Sequence, residues 1–292
     1  MLTYINDASQ EQPRLKKFLS VGTLTDLPEW STVPRGTVDE LYEAFCRLGI
    51  EGLQGGDPDT VRKHGLLYAG GGRINCPEEA LSGAEQVAAT GAICSTCHVG
   101  WGMEDDGLID ELIQAIGEAA VQTELPTFIE THRATIFQDM HRTVRAIERN
   151  PGVMINADLS HWYTGQEMPY GDWEAKLDFI QPVFDRVGFF HGRIGNSSHI
   201  QVSVEGGEVH VGHFREMWTR SMRAFIGQAG PGCILPFAPE ILQSDINYAR
   251  QFKVNGELRE ESDRWQQALL YLDIATECWR DAERRPPAAV NG

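Results

Sequence analysis

Positive charge is what this 292-residue chain has least of: 25 Lys plus Arg stand against 42 Asp plus Glu, a formal net charge of −17. So acidic a surface repels nucleic-acid backbones and anionic lipid headgroups unless a local basic patch exists, and no run of Lys or Arg supplies one. Nucleic acid and membrane are therefore not expected as partners. Long apolar runs are missing as well, with no stretch of about 18 such residues to span a bilayer. The segment Met1 to Pro13 is polar, carries Asp7 and Glu11, and lacks the apolar centre of a secretion signal, so the expected location is cytoplasmic. Cysteine is sparse: Cys46, Cys76, Cys94, Cys97, Cys233 and Cys278 are scattered, four of them inside apolar segments, which points to reduced thiols rather than a disulfide framework.

Glycine signatures of nucleotide binding are also absent. Gly22 stands alone after the first apolar run, without the Gly-x-Gly-x-x-Gly turn of a doubly wound dinucleotide fold. The run Gly70-Gly71-Gly72 lacks the Lys-Ser/Thr of a phosphate loop and reads as a loop.

What is present is alternation. Eight short apolar runs recur along the chain: Lys17 to Leu24, Ile50 to Gln54, Gly65 to Ala69, Gly91 to Val99, Pro126 to Glu130, Val153 to Asp158, Val187 to His191 and Cys233 to Phe237. Between them lie segments with three-to-four apolar spacing: Thr37 to Leu48, Leu108 to Ala120, Gln138 to Arg149, Trp173 to Phe184 and His213 to Ile226. Alternating strand and helix implies parallel pairing through crossover helices. Eight such units predict an α/β chain folded as a single (β/α)8 barrel over residues 1–292, with an ordered core of about 14–282. The segment Glu257 to Ala282 reads as a long C-terminal helix, followed by expected disorder from Arg284 to Gly292.

In such a barrel the carboxyl ends of the strands form the mouth, so a titratable residue that ends an apolar strand points at the active site. The fifth run ends in Glu130-Thr131-His132, the sixth in Asp158-Leu159-Ser160-His161, the seventh in His191-Gly192-Arg193 and the eighth in Phe237-Ala238-Pro239-Glu240. Two Glu, one Asp and one His at one end make a three-oxygen, one-nitrogen site suited to a single divalent ion such as Mn, Mg, Co or Zn.

This set of residues resembles the xylose isomerase-like TIM-barrel family of sugar phosphate isomerases and epimerases. The phrases Glu130-Thr131-His132-Arg133, Ala157-Asp158-Leu159-Ser160-His161 and Phe190-His191-Gly192-Arg193 are similar to an uncharacterised bacterial branch of it, and the likeness runs from about Leu19 to Tyr248. The resemblance implies that Glu130, Asp158, His191 and Glu240 bind one divalent metal, with strand eight registered so that Glu240, and not Pro236, is the ligand. It implies an isomerase or epimerase that works on a sugar or polyol through an enediolate, with Glu130 and Glu240 as the acid/base pair. At the end of strand two, where many relatives have Glu, this chain has Gln54.

Around that core, His161 suits a substrate or ligand contact, and Arg193 suits a substrate oxygen or carboxylate through its fork of donors. His98, His132, Arg133, Gln54 and Gln201 are weaker candidates for binding substrate. Dehydration or hydrolysis on the same metal barrel, and a non-catalytic sugar-binding barrel, remain alternative readings. DNA-repair endonucleases share the superfold but need three metals and a basic surface. Trp218, Trp265 and Trp279 are available either to the core or to a homo-oligomer interface. One motif is turned down: Cys94-Ser95-Thr96-Cys97-His98 is a literal haem-attachment pattern. It sits in an apolar strand, where residues three apart face opposite ways, so buried structural thiols are expected.

Overall fold

Eight parallel strands close on themselves in the computed structural model, which describes residues 4–284. In chain order they are β1 (Arg14–Ser20), β2 (Gly52–Gln54), β3 (Leu67–Ile74), β4 (Cys94–Val99), β5 (Thr127–Glu130), β6 (Ile155–Ala157), β7 (Val187–Gly192) and β8 (Cys233–Pro239). Each pairs with the next, and β8 returns to β1 with Ile234 opposite Arg14. The expected barrel is present, and so is a long final helix, Arg264–Arg284. At the opposite end from the mouth, Ile5–Asn6 pairs antiparallel with Ile234 and Cys233 and puts Ile5 against the interior residues.

Strand alternation divides the core in two. Inside the barrel lie Phe18, Cys94, Phe128, Met154, Phe189 and Ile234; between strands and helices lie Phe45, Cys97, Ile116, Trp162 and Phe237. Cys94 and Cys97 thus fall in different layers, and all six thiols are free. Trp218, Trp265 and Trp279 are buried in the outer layer and serve the core.

The helices start where the sequence supplies caps. Thr37 and Glu40 form a reciprocal capping box before Val38–Arg47, while Asp57, Asp105, Asp139 and Asp172 each accept a backbone N–H at a helix start. Among the described residues no helix is long and apolar enough to cross a membrane.

Four readings of the sequence need correction. The predicted helix from Glu257 begins only at Arg264; before it stands a hairpin, Gln251–Val254 with Glu257–Glu260, turned by Asn255 and Gly256 in left-handed backbone. Gly70 to Gly72 is not a loop but the middle of β3, paired with β4 from Ser95 to Cys97. Three helices, Pro58–Lys63, Glu79–Ala89 and Ser160–Gly165, lie outside the predicted helical segments. The segment Trp173 to Phe184 is two helices that meet at Ile180, where Pro182 in the first turn of the second removes a backbone donor. Of the expected disordered tail, Arg284 ends the last helix and residues 285–292 lie outside the described residues.

Candidate metal centre

The inward rows of the strands change from apolar to polar as they climb. On β5 the row is Phe128 then Glu130; through β6 it is Met154, Asn156, Asp158; through β7 it is Phe189, His191, Arg193. On β8 it passes from Ile234 through Pro236 and Ala238 to Glu240. Because His191 pairs with Ala238 and Gly192 with Pro239, Glu240 stands level with Arg193 at the mouth, while Pro236 lies deeper, opposite Lys16.

One ligand atom from each of Glu130, Asp158, His191 and Glu240 lies within 4.8 Å of all the others. Donors on opposite sides of a small divalent ion stand about 4.2 Å apart, so this spacing needs little contraction. The first three side chains are buried and Glu240 is partly open. Glu130 Oε2 meets His98 Nε2 at 3.0 Å and His191 Nδ1 at 3.1 Å, yet its Oε1 is buried with no hydrogen-bond partner. An orphaned carboxylate oxygen is costly, roughly 1–3 kcal/mol or more for a charged group, and a cation among the four ligands would satisfy it. The residues present therefore fit a metal ion.

Two hydrogen bonds fix the His191 ring. Its Nε2 lies 2.8 Å from Gln54 Oε1, and the Gln54 amide is in turn oriented by donating to Thr96 Oγ1 at 2.7 Å. That leaves Nδ1 facing the carboxylates. Burial alone would lower the His191 pKa, but the charges of Glu240 and then Glu130 outweigh it and lift it to about 9. Burial likewise works to raise Glu130, and the His191 charge overrides it, holding the carboxyl well below its ordinary range.

Asp158 is held by its neighbours. Its Oδ1 accepts from Ser160 N at 3.1 Å and from Ser160 Oγ at 2.5 Å, and its Oδ2 accepts from Arg193 Nε at 3.0 Å. Burial opposes ionisation there, yet the neighbouring Arg193 guanidinium, ahead of His161, holds its pKa below the ordinary value. Arg193 is itself buried and also pairs with Glu240 through Nη2, so one guanidinium joins two of the four clustered carboxylate and imidazole residues. His161, on the short helix Ser160–Gly165, lies 3.5 Å from Asp158 Oδ2; both of its ring nitrogens lack hydrogen-bond partners, and burial pushes its pKa down to about 3.

The remaining candidates fall in different places. His98 faces the mouth from β4, and His132 lies between it and His161, with ring centroids 4.5 Å and 4.0 Å away. Burial pushes the His132 pKa down to about 4. Arg133 is exposed at the rim. Gln201 is buried and braces the fold: its amide bonds the backbone N and O of Leu242, and its Oε1 lies 3.4 Å from Arg193 Nη1.

Two residues of the site went unnoticed among the candidates. Asn156 places its amide nitrogen 3.4 Å from Glu130 Oε2 and 3.2 Å from His191 Nδ1; it stands two residues before Asp158, where alternation along the strand would have found it. Tyr248, on the segment that folds back after β8, lies under the Arg193 guanidinium at 4.4 Å and approaches His132 Nε2 at 3.4 Å through its hydroxyl. Its signal in the sequence is only that the family likeness extends to it.

No protein-family model and no curated protein matches the chain. Among solved structures, a xylose isomerase-like TIM barrel protein from Mycobacterium smegmatis in complex with magnesium is similar over 95% of this chain and 100% of that one, at 13% identity and a TM-score of 0.56. The chain has the TIM-barrel fold of that protein. A sugar phosphate isomerase/epimerase from Parabacteroides distasonis shares it, at 12% identity and a TM-score of 0.55 over 92% of this chain and 96% of the other. So does the probable 3-DHS dehydratase AsbF from Bacillus anthracis, at 12% identity and a TM-score of 0.53 over 89% and 98%. At these identities the likeness is one of fold, and in this barrel the four-residue cluster lies at the mouth, where β5 to β8 end.

Proposed function

We propose that this chain is a divalent-metal-dependent isomerase or epimerase of a sugar or related polyol, acting through an enediolate. The observation that carries this reading is the convergence of Glu130, Asp158, His191 and Glu240 at the mouth, with Glu130 Oε1 buried and unpartnered. A bound divalent ion supplies Lewis-acid polarisation of neighbouring carbonyl and hydroxyl oxygens, worth several kcal/mol toward an enediolate.

The chain's own residues supply the proton transfer. Glu130 and Glu240 are the two carboxylates that reach His191, 3.1 Å and 3.5 Å from its Nδ1, and they serve as the acid/base pair. Arg193 holds Glu240 and Asp158 in place and offers positive charge to an oxygen that becomes negative. His161, neutral and with no hydrogen-bond partner in the protein, donates or accepts one hydrogen bond with a substrate hydroxyl. The solved structures that share the fold support a small-molecule sugar substrate, since one is described as a sugar phosphate isomerase/epimerase.

Dehydration is the competing chemistry, and a probable dehydratase shares the fold. The two are separated by incubating the metal-reconstituted protein with keto-sugars in deuterium oxide. Deuterium gained at the carbon beside the carbonyl, with the sugar's mass otherwise unchanged, supports isomerisation or epimerisation. Loss of water from the sugar moves the assignment to a dehydratase, and no reaction across ketoses and inosose-type polyols contradicts both.

A further inference from the structure

Beside the four-residue cluster the mouth holds a second cleft of about 340 Å³. Tyr248 is the wall between them. Its ring carries the buried Arg193 at 4.4 Å, on the side of Glu240 and Asp158, and the exposed Arg133 at 5.4 Å, in the cleft. Arg133 follows Glu130 by three residues and makes no ion pair among the described residues, and Ser198, His199 and Asn247 bring further polar side chains to the cleft.

The charge of this cleft is opposite to that of the molecule. In a chain with 42 acidic residues and a net charge of −17, no Asp or Glu lines it. A second arginine, Arg250, also lines it but is neutralised by Glu261, which accepts from its Nε and Nη2, so Arg133 is the cation left for a ligand. Three of its lining residues are held by Asn196 behind them: Asn196 Oδ1 accepts from the backbone N–H groups of Ser198 and His199, and Thr164 Oγ1 donates to Asn196 O.

We infer that this cleft is the subsite for an anionic group at the far end of the substrate, a phosphate ester or a carboxylate, with Arg133 as its principal contact. The inference rests on the proposed sugar chemistry and narrows it to charged sugars. A planar guanidinium matches either oxyanion with paired donors, and charge-assisted hydrogen bonds of this kind change affinity by about tenfold or more.

Isothermal titration of the metal-reconstituted protein tests it with three probes: a neutral ketose, its terminal phosphate ester and the corresponding terminal acid. The expected result is that one anionic probe binds at least about tenfold more tightly than the neutral ketose. Arg133→Gln should abolish that preference with neutral-ketose affinity unchanged, and Arg133→Lys should retain part of it. Which anion wins identifies the group. Equal affinity for all three probes in the wild type overturns the inference, and so does an equal loss for all three in Arg133→Gln. Should the anion preference appear where deuterium exchange does not, the subsite stands and the isomerase reading falls.

Discussion

Gln54 Oε1 accepts the Nε2–H of His191 at 2.8 Å, across the barrel from strand two to strand seven. This bond decides which ring nitrogen faces Glu130 and Glu240, because the proton sits on the nitrogen that Gln54 holds. Gln54→Leu should therefore lower metal affinity by about 10- to 100-fold with little loss of fold, whereas Gln54→Asn should recover part of it. Competition titration against a metallochromic chelator reads the difference. Unchanged affinity in Gln54→Leu would show that the ring is oriented by other contacts.

The His191 pKa gives the site a pH dependence with a definite sign. In metal-free protein the folded value, about 9, lies above the ordinary value, so its stabilising contribution is complete below about pH 6.5 and is lost as pH rises through about 9. A metal ligand must be neutral, so binding releases a proton and tightens over the same range. Melting curves from about pH 6 to about pH 9.5 should show the chelator-treated protein losing stability while the rise in Tm on adding Mn or Mg grows. Glu130 and Asp158 act in the other direction: their lowered values stabilise the fold above the ordinary carboxylate range, and that contribution is lost in acid.

Arg193 is buried between Asp158 and Glu240 and has no route to water for its charge. Removing one partner of such a pair leaves uncompensated buried charge, so Arg193→Met should cost about 3–5 kcal/mol in the metal-free protein. Adding metal should recover part of the loss, since the cation then balances the carboxylates. Urea unfolding with and without metal measures both values.

Packing inside the barrel makes a prediction independent of the metal. A Cβ on Gly188 would overlap the Phe128 ring, whereas one on Gly152 would meet nothing within 4 Å. Gly188→Ala should destabilise by about 1–3 kcal/mol, and Gly152→Ala should be close to neutral. Equal unfolding midpoints for the two variants would contradict the packing described.

The barrel was legible because its strands are short, apolar and separated by helical periods, and the site was legible because four strands end in polar residues. The strand ends supply two Glu, one Asp and one His, the family resemblance selects Glu240 over Pro236, and the structure clusters Glu130, Asp158, His191 and Glu240. Elements without a side-chain signal were lost. Gly70 to Gly72 has no side chains to mark a strand, and its pairing with β4 is made entirely by backbone. The hairpin before the last helix did carry a signal, Asn255-Gly256, a pair suited to a tight turn with left-handed backbone, but Leu258 was absorbed into the helical period that follows. Asn156 and Tyr248 were passed over for different reasons. The first lies inside an apolar strand, and the second reaches the site only because the chain after β8 folds back across the mouth.

The central claim is one divalent ion held by Glu130, Asp158, His191 and Glu240, and elemental analysis of purified wild type beside Glu240→Gln tests it most directly. The account predicts close to one Mn, Co, Zn or Mg per chain in the wild type and a marked loss in the variant, with both proteins folded by circular dichroism. No metal in the wild type, even after reconstitution with each of these ions, would contradict it.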